Sequence, residues 1–339
     1  MTALHLKFLL KRGALLAAAN WPAIVVQFVA ETTLQVLLGV PLIGAAILVT
    51  VMLGADVGEV MRGGVREMFT TIASALLSEP VALVAFITAF LIVMLGGSVL
   101  MFLVKGGVVE VLLAANDDAG PIEREPLTIA LVHRASRFTL ARFMSGCGRL
   151  FRRYLALGFI LMGGYALSAG AYLAVVMYGY RAAGNRVLII EWTVVAAAAA
   201  VLLVVWITLV NFVYLLLQIA MAHDDTGLGD AVRAVWRFVQ AEFRPVAMVF
   251  LVMLALAVAA TFASALAWSG VGLIAFVPLV GLAVFPLQIV ALIVRGLAFE
   301  YLGLTALGAY LTLYAGHASR GAESFDRSHV PSSPLGHPA

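Results

Sequence analysis

The feature that most constrains this chain is a series of long apolar runs that contain no charged residue. A helix needs about 20 apolar residues to cross a hydrocarbon core about 30 Å thick. Five runs are at least that long, and they cover residues 32–55, 81–104, 155–180, 192–222 and 245–294. The last run is too long for one helix and must fold back, most simply at 268–272. The runs therefore predict six membrane-spanning helices.

Composition supports the same class. Hydrophobic residues make up 63% of the 339 positions and charged residues 12%, whereas soluble globular chains are about half apolar and a quarter charged. We expect an all-α polytopic membrane helix bundle with interfacial amphipathic helices. The expected spans are 22–53, 81–104, 155–180, 192–222, 245–268 and 272–315, the last bent or re-entrant at its start.

The distribution of basic residues predicts the orientation. With the N-terminus in the cytoplasm, only four of the 21 Lys and Arg residues face the outside: Arg62, Arg66, Arg181 and Arg186. An excess of Lys and Arg in cytoplasmic loops is typical of inner-membrane proteins. The sequence thus predicts a multi-pass protein of a bacterial inner membrane with both termini in the cytoplasm. The apolar run after Arg12 is too short for a cleaved signal peptide.

The last apolar region allows two registers. If the sixth span covers about 285–315, Arg295 lies near mid-depth and 272–284 is a bent or re-entrant segment. If the span covers 272–294, Arg295 is a cytoplasmic stop, and 296–315 is a surface helix or a seventh span. The count of basic residues favours six spans. Residues 317–339 have no apolar period, so we expect a disordered cytoplasmic tail.

Three segments between the spans have the periodicity of amphipathic helices: 57–76, 140–154 and 228–243. The second places apolar residues on one face and basic residues on the other. Such a helix buries its apolar face at the headgroup boundary, and its Arg residues are expected to contact anionic lipid headgroups. These residues are Arg142, Arg149, Arg152 and Arg153. Membrane lipids, rather than nucleic acid, are the predicted partners.

A short repeat marks the ends of the second and fourth spans. Residues 115–120 (Ala-Asn-Asp-Asp-Ala-Gly) match residues 222–227 (Ala-His-Asp-Asp-Thr-Gly). The repeat suggests stacked helical hairpins. Its carboxylates suit either helix capping or a divalent cation at the membrane surface, and capping is the preferred interpretation.

Polar residues within apolar spans are the main functional candidates because charge is costly in the bilayer. Those predicted to form an intramembrane polar site are Gln27, Glu31, Gln35, Lys105, Glu110, Arg295 and Glu300. We expect Glu31 and Arg295 to form an ion pair, which either locks the helix register or relays protons or substrate. Asn211 and Gln218 are expected to form hydrogen bonds between helices.

Catalytic and metal-binding patterns are absent from the sequence. It contains no zinc-protease His-Glu-x-x-His, no Gly-x-Ser-x-Gly elbow and no phosphate-binding glycine loop. The single cysteine, Cys147, excludes an intramolecular disulfide. We therefore expect neither enzymatic activity nor a metal or other cofactor.

The segment 224–239 resembles a pattern in poorly characterised six-helix bacterial membrane proteins, in which an acidic-Gly turn leads into an interfacial Ala-x-Arg-x-x-Trp-type helix. The membrane domain of some glycerophosphodiester phosphodiesterases is similar. The resemblance covers about sixteen residues and the hydropathy profile. It implies a membrane module in envelope or lipid homeostasis and carries over no catalytic residue.

Three functions compete at this point. The first is a non-enzymatic membrane scaffold or a module of envelope or lipid homeostasis. The second is a transporter or lipid-handling protein that uses the intramembrane charges, and the weakest is an intramembrane enzyme. A cavity lined by Glu31 and Arg295 would favour transport, and a lipid-filled groove would favour lipid handling.

Overall fold

The computed structural model describes residues 3–53, 78, 80–126, 128–182, 186–275 and 280–329. These residues form helices and connecting turns, with no β-strand in the described ranges. The helices are α1 (Ala3–Ala19), α2 (Trp21–Leu53), α3 (Pro80–Asp118), α4 (Ile129–Ala135), α5 (Leu140–Ala182), α6 (Arg186–His223), α7 (Leu228–Ala241), α8 (Phe243–Ala275) and α9 (Val280–His329). A 3-10 turn, Ile122–Arg124, connects α3 with α4.

Six segments of the described chain contain a helix that is long and apolar enough to cross a membrane. They are Trp21–Pro41, Leu83–Asp118, Ile129–Ala182, Ile190–His223, Phe243–Ser269 and Pro286–Arg320. The predicted all-α polytopic membrane bundle is therefore confirmed.

The chain divides into two compact units, and the smaller comprises Val25–Lys105. Within it, α2 and α3 make close contact at Gly97, where an added Cβ would collide with the side chain of Leu34. Phe86 and Phe90 stack one turn apart on α3, with ring centroids 6.1 Å apart. The small residue at 97 therefore permits close packing of these two helices.

The larger unit comprises Met1–Ile24 and Gly106–Ala339. Its core is concentrated at the end where α3, α6 and α9 finish and α8 begins, which we call the basic end. Among the fully buried side chains there are Leu16, Leu112, Leu150, Ile219 and Leu311. The apolar residues farther along the spans are exposed, including Leu167, Leu202, Phe262, Leu266 and Leu287. The spans thus present apolar surface suited to lipid, while the tightly packed core lies at one end.

Glycines allow two close helix crossings in this unit. At the first, α1 passes α9, and a Cβ added at Gly13 would lie 2.8 Å from the backbone nitrogen of Ala309. At the second, α3 passes α5, and a Cβ at Gly106 would lie 3.2 Å from the carbonyl oxygen of Gly146. Gly106 lies within the continuous helix α3, where it makes room for its neighbour.

The segment 140–154 is not a separate surface helix. It forms the first turns of α5, which continues without interruption to Ala182. Its apolar residues Phe143, Cys147, Leu150 and Tyr154 are buried inside the protein, because the face packs against α3 and α6 rather than lipid. A stripe with helical period predicts a buried face but does not identify what covers that face.

The stripe 228–243 divides between α7 and the start of α8. Ala231, Val235 and Phe238 are buried within the protein, whereas Val232 and Trp236 are exposed. One residue, Glu242, separates α7 from the membrane-spanning helix α8. The segment 57–76, the third predicted stripe, lies outside the described residues.

The last helix differs from the expected span at both ends. It begins at Val280, contains Pro286 and continues to His329, so it includes residues 317–329 of the predicted disordered tail. The other residues of that tail, 330–339, lie outside the described residues. The Arg320 guanidinium donates to the Gly316 carbonyl 2.9 Å away and pairs with Glu242, which holds the helix beyond its apolar part. Arg295 lies within the apolar stretch Pro286–Arg320.

Candidate functional site

A cavity of about 900 Å³ lies at the basic end of the larger unit. Its walls come from α1, the 3-10 turn, the junction of α7 with α8, and the last part of α9. The charged residues that line it are Arg12, Glu123, Arg124, Glu242, Arg244 and Arg320. Four guanidinium groups and two carboxylates give this lining a net positive charge.

Arg12 forms one wall of the cavity and is held rigidly. Its Nε donates to Asn116 Oδ1 at 3.0 Å, and its Nη2 donates to the Asn116 carbonyl at 2.7 Å. Its Nη1 bonds to the Gly120 carbonyl at 2.6 Å and to Glu123 Oε2 at 2.8 Å. Thr312 of α9 also donates to Asn116 Oδ1, at 3.0 Å. Arg12 thus connects α1 to the end of α3 and the turn after it.

A second ion pair closes the opposite wall. Arg320 Nη2 lies 2.7 Å from Glu242 Oε1, and the carboxylate side chain is 16% exposed. This pair links the end of α9 to the single residue between α7 and α8. Both cavity carboxylates therefore already have an Arg partner.

Arg124 and Arg244 are the remaining guanidinium groups of the lining. Both are exposed, and within the described ranges neither side chain forms a hydrogen bond or an ion pair. The cavity therefore offers about two positive charges that no described protein group neutralises. Arg guanidinium groups bind phosphate oxygens with two parallel hydrogen bonds.

Apolar residues form the rest of the lining, namely Phe8, Leu9, Phe243, Pro245 and Leu313. Phe243 and Pro245 begin the membrane-spanning helix α8, so this part of the cavity adjoins the predicted lipid boundary. Such a combination of a cationic region and an apolar wall suits an amphiphilic anion.

No family model, curated protein or solved structure matches this chain. The resemblance to the membrane domain of glycerophosphodiester phosphodiesterases stays a prediction.

The predicted intramembrane polar site is distributed between the two units. Gln27, Glu31, Gln35 and Lys105 belong to the smaller unit, where Gln35 Nε2 donates to Glu31 Oε1 at 3.4 Å. Glu110, Arg295 and Glu300 belong to the larger one. Arg295 is exposed and lies over the Phe299 ring, 5.8 Å from its centroid. The expected Glu31–Arg295 ion pair stays a prediction.

Glu110 belongs to an ionic network. It pairs with Arg149, whose Nη1 lies 3.3 Å from Asp225 Oδ1. Arg153 pairs with the same Asp225 oxygen at 2.5 Å. The network ties α3, α5 and the turn after α6 together, so two of the four Arg residues predicted to contact lipid are engaged by carboxylates.

The other two Arg residues predicted to contact lipid are Arg142 and Arg152. Arg142 donates to the Arg137 carbonyl at 2.9 Å, and Arg152 is exposed. Their contact with headgroups stays a prediction.

The two copies of the repeat make related contacts with α9. Thr312 donates to Asn116 in the first copy, and Tyr314 donates to Asp224 Oδ2 at 2.5 Å in the second. Asp225 adopts a left-handed backbone conformation with φ of 51°. The preferred capping role is not observed for α7, whose N-cap is Gly227 without a side-chain bond.

The Asp224 carboxylate is stabilised by its surroundings. Burial favours its neutral form, but hydrogen bonds from His223 and Tyr314 outweigh burial, and the pKa of Asp224 is lowered. His223 Nδ1 lies 2.8 Å from Asp224 Oδ1. In the part of the chain that the structure describes, no three His, Cys, Asp or Glu residues converge as a metal site would require.

The expected hydrogen bonds between helices occur in two forms. The Tyr165 hydroxyl on α5 donates to the Asn211 side chain on α6, which confirms the role of Asn211. At Gln218 the backbone carbonyl is the acceptor, since the Tyr154 hydroxyl bonds to it at 2.9 Å.

The sequence did not single out the cavity residues as a site. Arg12, Arg124, Arg244 and Arg320 entered the prediction only through the charge count that gave the orientation. They are separated by up to about 300 positions, and no local pattern relates them. The one available signal was that all of them fall on the same predicted side of the membrane.

Proposed function

We propose that this integral membrane protein is a lipid-handling module that holds the phosphorylated headgroup of a membrane lipid in the cavity at its basic end. The observation that carries the proposal is the pair Arg124 and Arg244, which line the cavity without a described partner. The adjoining apolar wall is formed partly by the first residues of α8. A headgroup can therefore occupy the cationic region while its acyl chains remain in the bilayer.

The cavity favours lipid handling over scaffolding. The site that would bind the lipid is this cavity and not the set of intramembrane charges. The expectations of no enzymatic activity and of a bacterial inner membrane remain part of it. With the cavity on the cytoplasmic side, as the distribution of basic residues predicts, the ligand comes from the inner leaflet.

The test compares lipids that copurify with the protein, measured by native mass spectrometry. Compared with the wild type, the double variant R124A/R244A should lose a factor of about ten or more in retained anionic phospholipid, because hydrogen bonds to charged groups contribute about 1.5–3 kcal/mol each. The matched control is R233A/R237A, which removes the same charge from exposed positions outside the cavity lining. Equal retention by R124A/R244A and the wild type, or an equal loss in the control, would refute the proposal.

A further inference from the structure

We infer that the ligand of this cavity is a phosphomonoester with two negative charges, rather than a phosphodiester with one or a zwitterion. The inference rests on the proposed function and names the class of headgroup. It follows from how the charges of the lining are already paired.

The first step is the charge balance. Arg12 is paired with Glu123 at 2.8 Å, and Arg320 with Glu242 at 2.7 Å. The charges within each pair cancel, which leaves the guanidinium groups of Arg124 and Arg244. A ligand with two negative charges neutralises both, whereas a phosphodiester leaves one positive charge without a partner.

The second step concerns the carboxylates. The ammonium group of a zwitterionic headgroup needs an anionic partner, and the cavity carboxylates are Glu123 and Glu242. Each of these already forms an ion pair with an Arg, so an ammonium group would have to displace a guanidinium. The lining thus disfavours zwitterionic lipids, which gives selectivity through an unpaired charge in the competing complex.

The third step concerns geometry. A terminal phosphate exposes three oxygens, whereas a phosphate between two ester groups exposes two. Arg124 lies in the 3-10 turn and Arg244 at the start of α8. These guanidinium groups come from different segments of the cavity wall, and a terminal phosphate offers them three oxygens where a phosphodiester offers two. Gln240 is a further exposed polar residue of the lining.

Because Arg keeps its charge at all accessible pH values, the ligand sets the pH dependence. The second ionisation of a phosphomonoester has a pKa of about 6, so its affinity should rise as pH increases from about 5.5 to 8. A phosphodiester carries one charge over that range, and the ionisation of its headgroup predicts no such rise.

The experiment uses the full chain in phosphatidylcholine nanodiscs that contain a minor fraction of either phosphatidic acid or phosphatidylglycerol. Lipid bound to the protein is quantified at about pH 8 and pH 5.5. We expect the wild type to prefer phosphatidic acid by about tenfold at the higher pH, with a smaller preference at the lower pH. R124A and R244A should each remove most of the preference, while R233A should retain it.

The outcomes separate the two proposals. Equal binding of phosphatidic acid and phosphatidylglycerol, lost in R124A/R244A, would overturn the phosphomonoester inference and leave the proposed function supported. Binding of both lipids that is unchanged in R124A/R244A would overturn both. Glycerol 3-phosphate provides the soluble arm. If glycerol 3-phosphate binds as tightly as phosphatidic acid and displaces it, the phosphomonoester inference holds and a lipid as the source of the phosphate is refuted.

Discussion

Asn20 is a buried polar residue whose side chain satisfies three backbone groups. Its amide nitrogen donates to the carbonyls of Leu16 at 2.9 Å and Ala135 at 3.1 Å, and its oxygen accepts from the Arg137 N–H at 2.8 Å. The side chain is fully buried. It thereby connects the end of α1 to the turn between α4 and α5.

Replacement of Asn20 by Ala should destabilise the protein by about 2 kcal/mol, because buried backbone groups lose their partners. Thermal unfolding in detergent, followed by circular dichroism, gives the measurement. Gln240→Ala, at an exposed position without a described bond, is the control and should unfold near the wild-type temperature. If N20A unfolds at the same temperature as Q240A, the assigned role of Asn20 is wrong.

Asp224 predicts a pH dependence of stability. Its pKa is lower in the folded protein because hydrogen bonds from His223 and Tyr314 outweigh the effect of burial. A carboxyl group with a lowered folded pKa stabilises the protein above its unfolded pKa of about 3.9 and loses that effect as pH falls through the folded value.

The wild type should therefore be more stable than Asp224→Asn at neutral pH, with the difference shrinking below about pH 4. Unfolding temperatures of both proteins at a series of pH values test this. A difference that stays constant from neutral to strongly acidic pH would contradict the assignment of this stabilisation to the ionised carboxylate.

At the scale of elements, the crossing of α1 and α9 depends on Gly13. A Cβ at this position would lie 2.8 Å from the Ala309 nitrogen and would also contact the Thr305 carbonyl. Because these are backbone atoms, the helices must move apart. We expect Gly13→Ala to cost about 1–3 kcal/mol through overpacking.

Gly303→Ala is a matched control on α9. A Cβ added there would meet nothing within 4 Å, so this variant should be as stable as the wild type or up to about 1 kcal/mol more stable, through higher helix propensity. Unfolding temperatures of both variants in detergent provide the comparison. Equal destabilisation by the two would show that the crossing does not require Gly13.

The fold class could be predicted from the sequence because charge-free runs leave no alternative to helices in lipid. Whether lipid or protein covers each helical face could not be predicted from the sequence. The stripe that contains Phe143 and Leu150 has the same periodicity whether lipid or protein covers it. In the structure both residues are buried inside the protein, because α3 presents Gly106 and Gly107 to that face and allows α5 to approach.

The cavity was unpredictable for a related reason. Arg12, Arg124, Arg244 and Arg320 come from four separate segments, and the packing of these segments against one another brings them to one lining. The sequence directed attention to charges within apolar runs. One of these, Glu110, pairs with Arg149 in the structure.

For the whole molecule, the predicted orientation can be tested by cysteine labelling. Cys147 is buried and is the only cysteine in the sequence, so variants are prepared in a Cys147→Ala background. An impermeant maleimide added to spheroplasts should label Arg181→Cys but not Ser319→Cys, which should react only after permeabilisation. Both positions are exposed. The reverse pattern would show that the cavity opens to the outside.

The packing of α1 against α9 has a consequence for biosynthesis. Tyr301 of α9 donates to the Ala14 carbonyl of α1, 287 positions away, at 3.2 Å. While the ribosome is still translating the earlier spans, the face of α1 around Gly13 and Ala14 has no α9 to cover it. Because α1 precedes α9 in the chain, it is synthesised before the helix that covers it. Translation that stops before α9 would therefore leave this apolar face uncovered, as a recognition signal for chaperones and proteases.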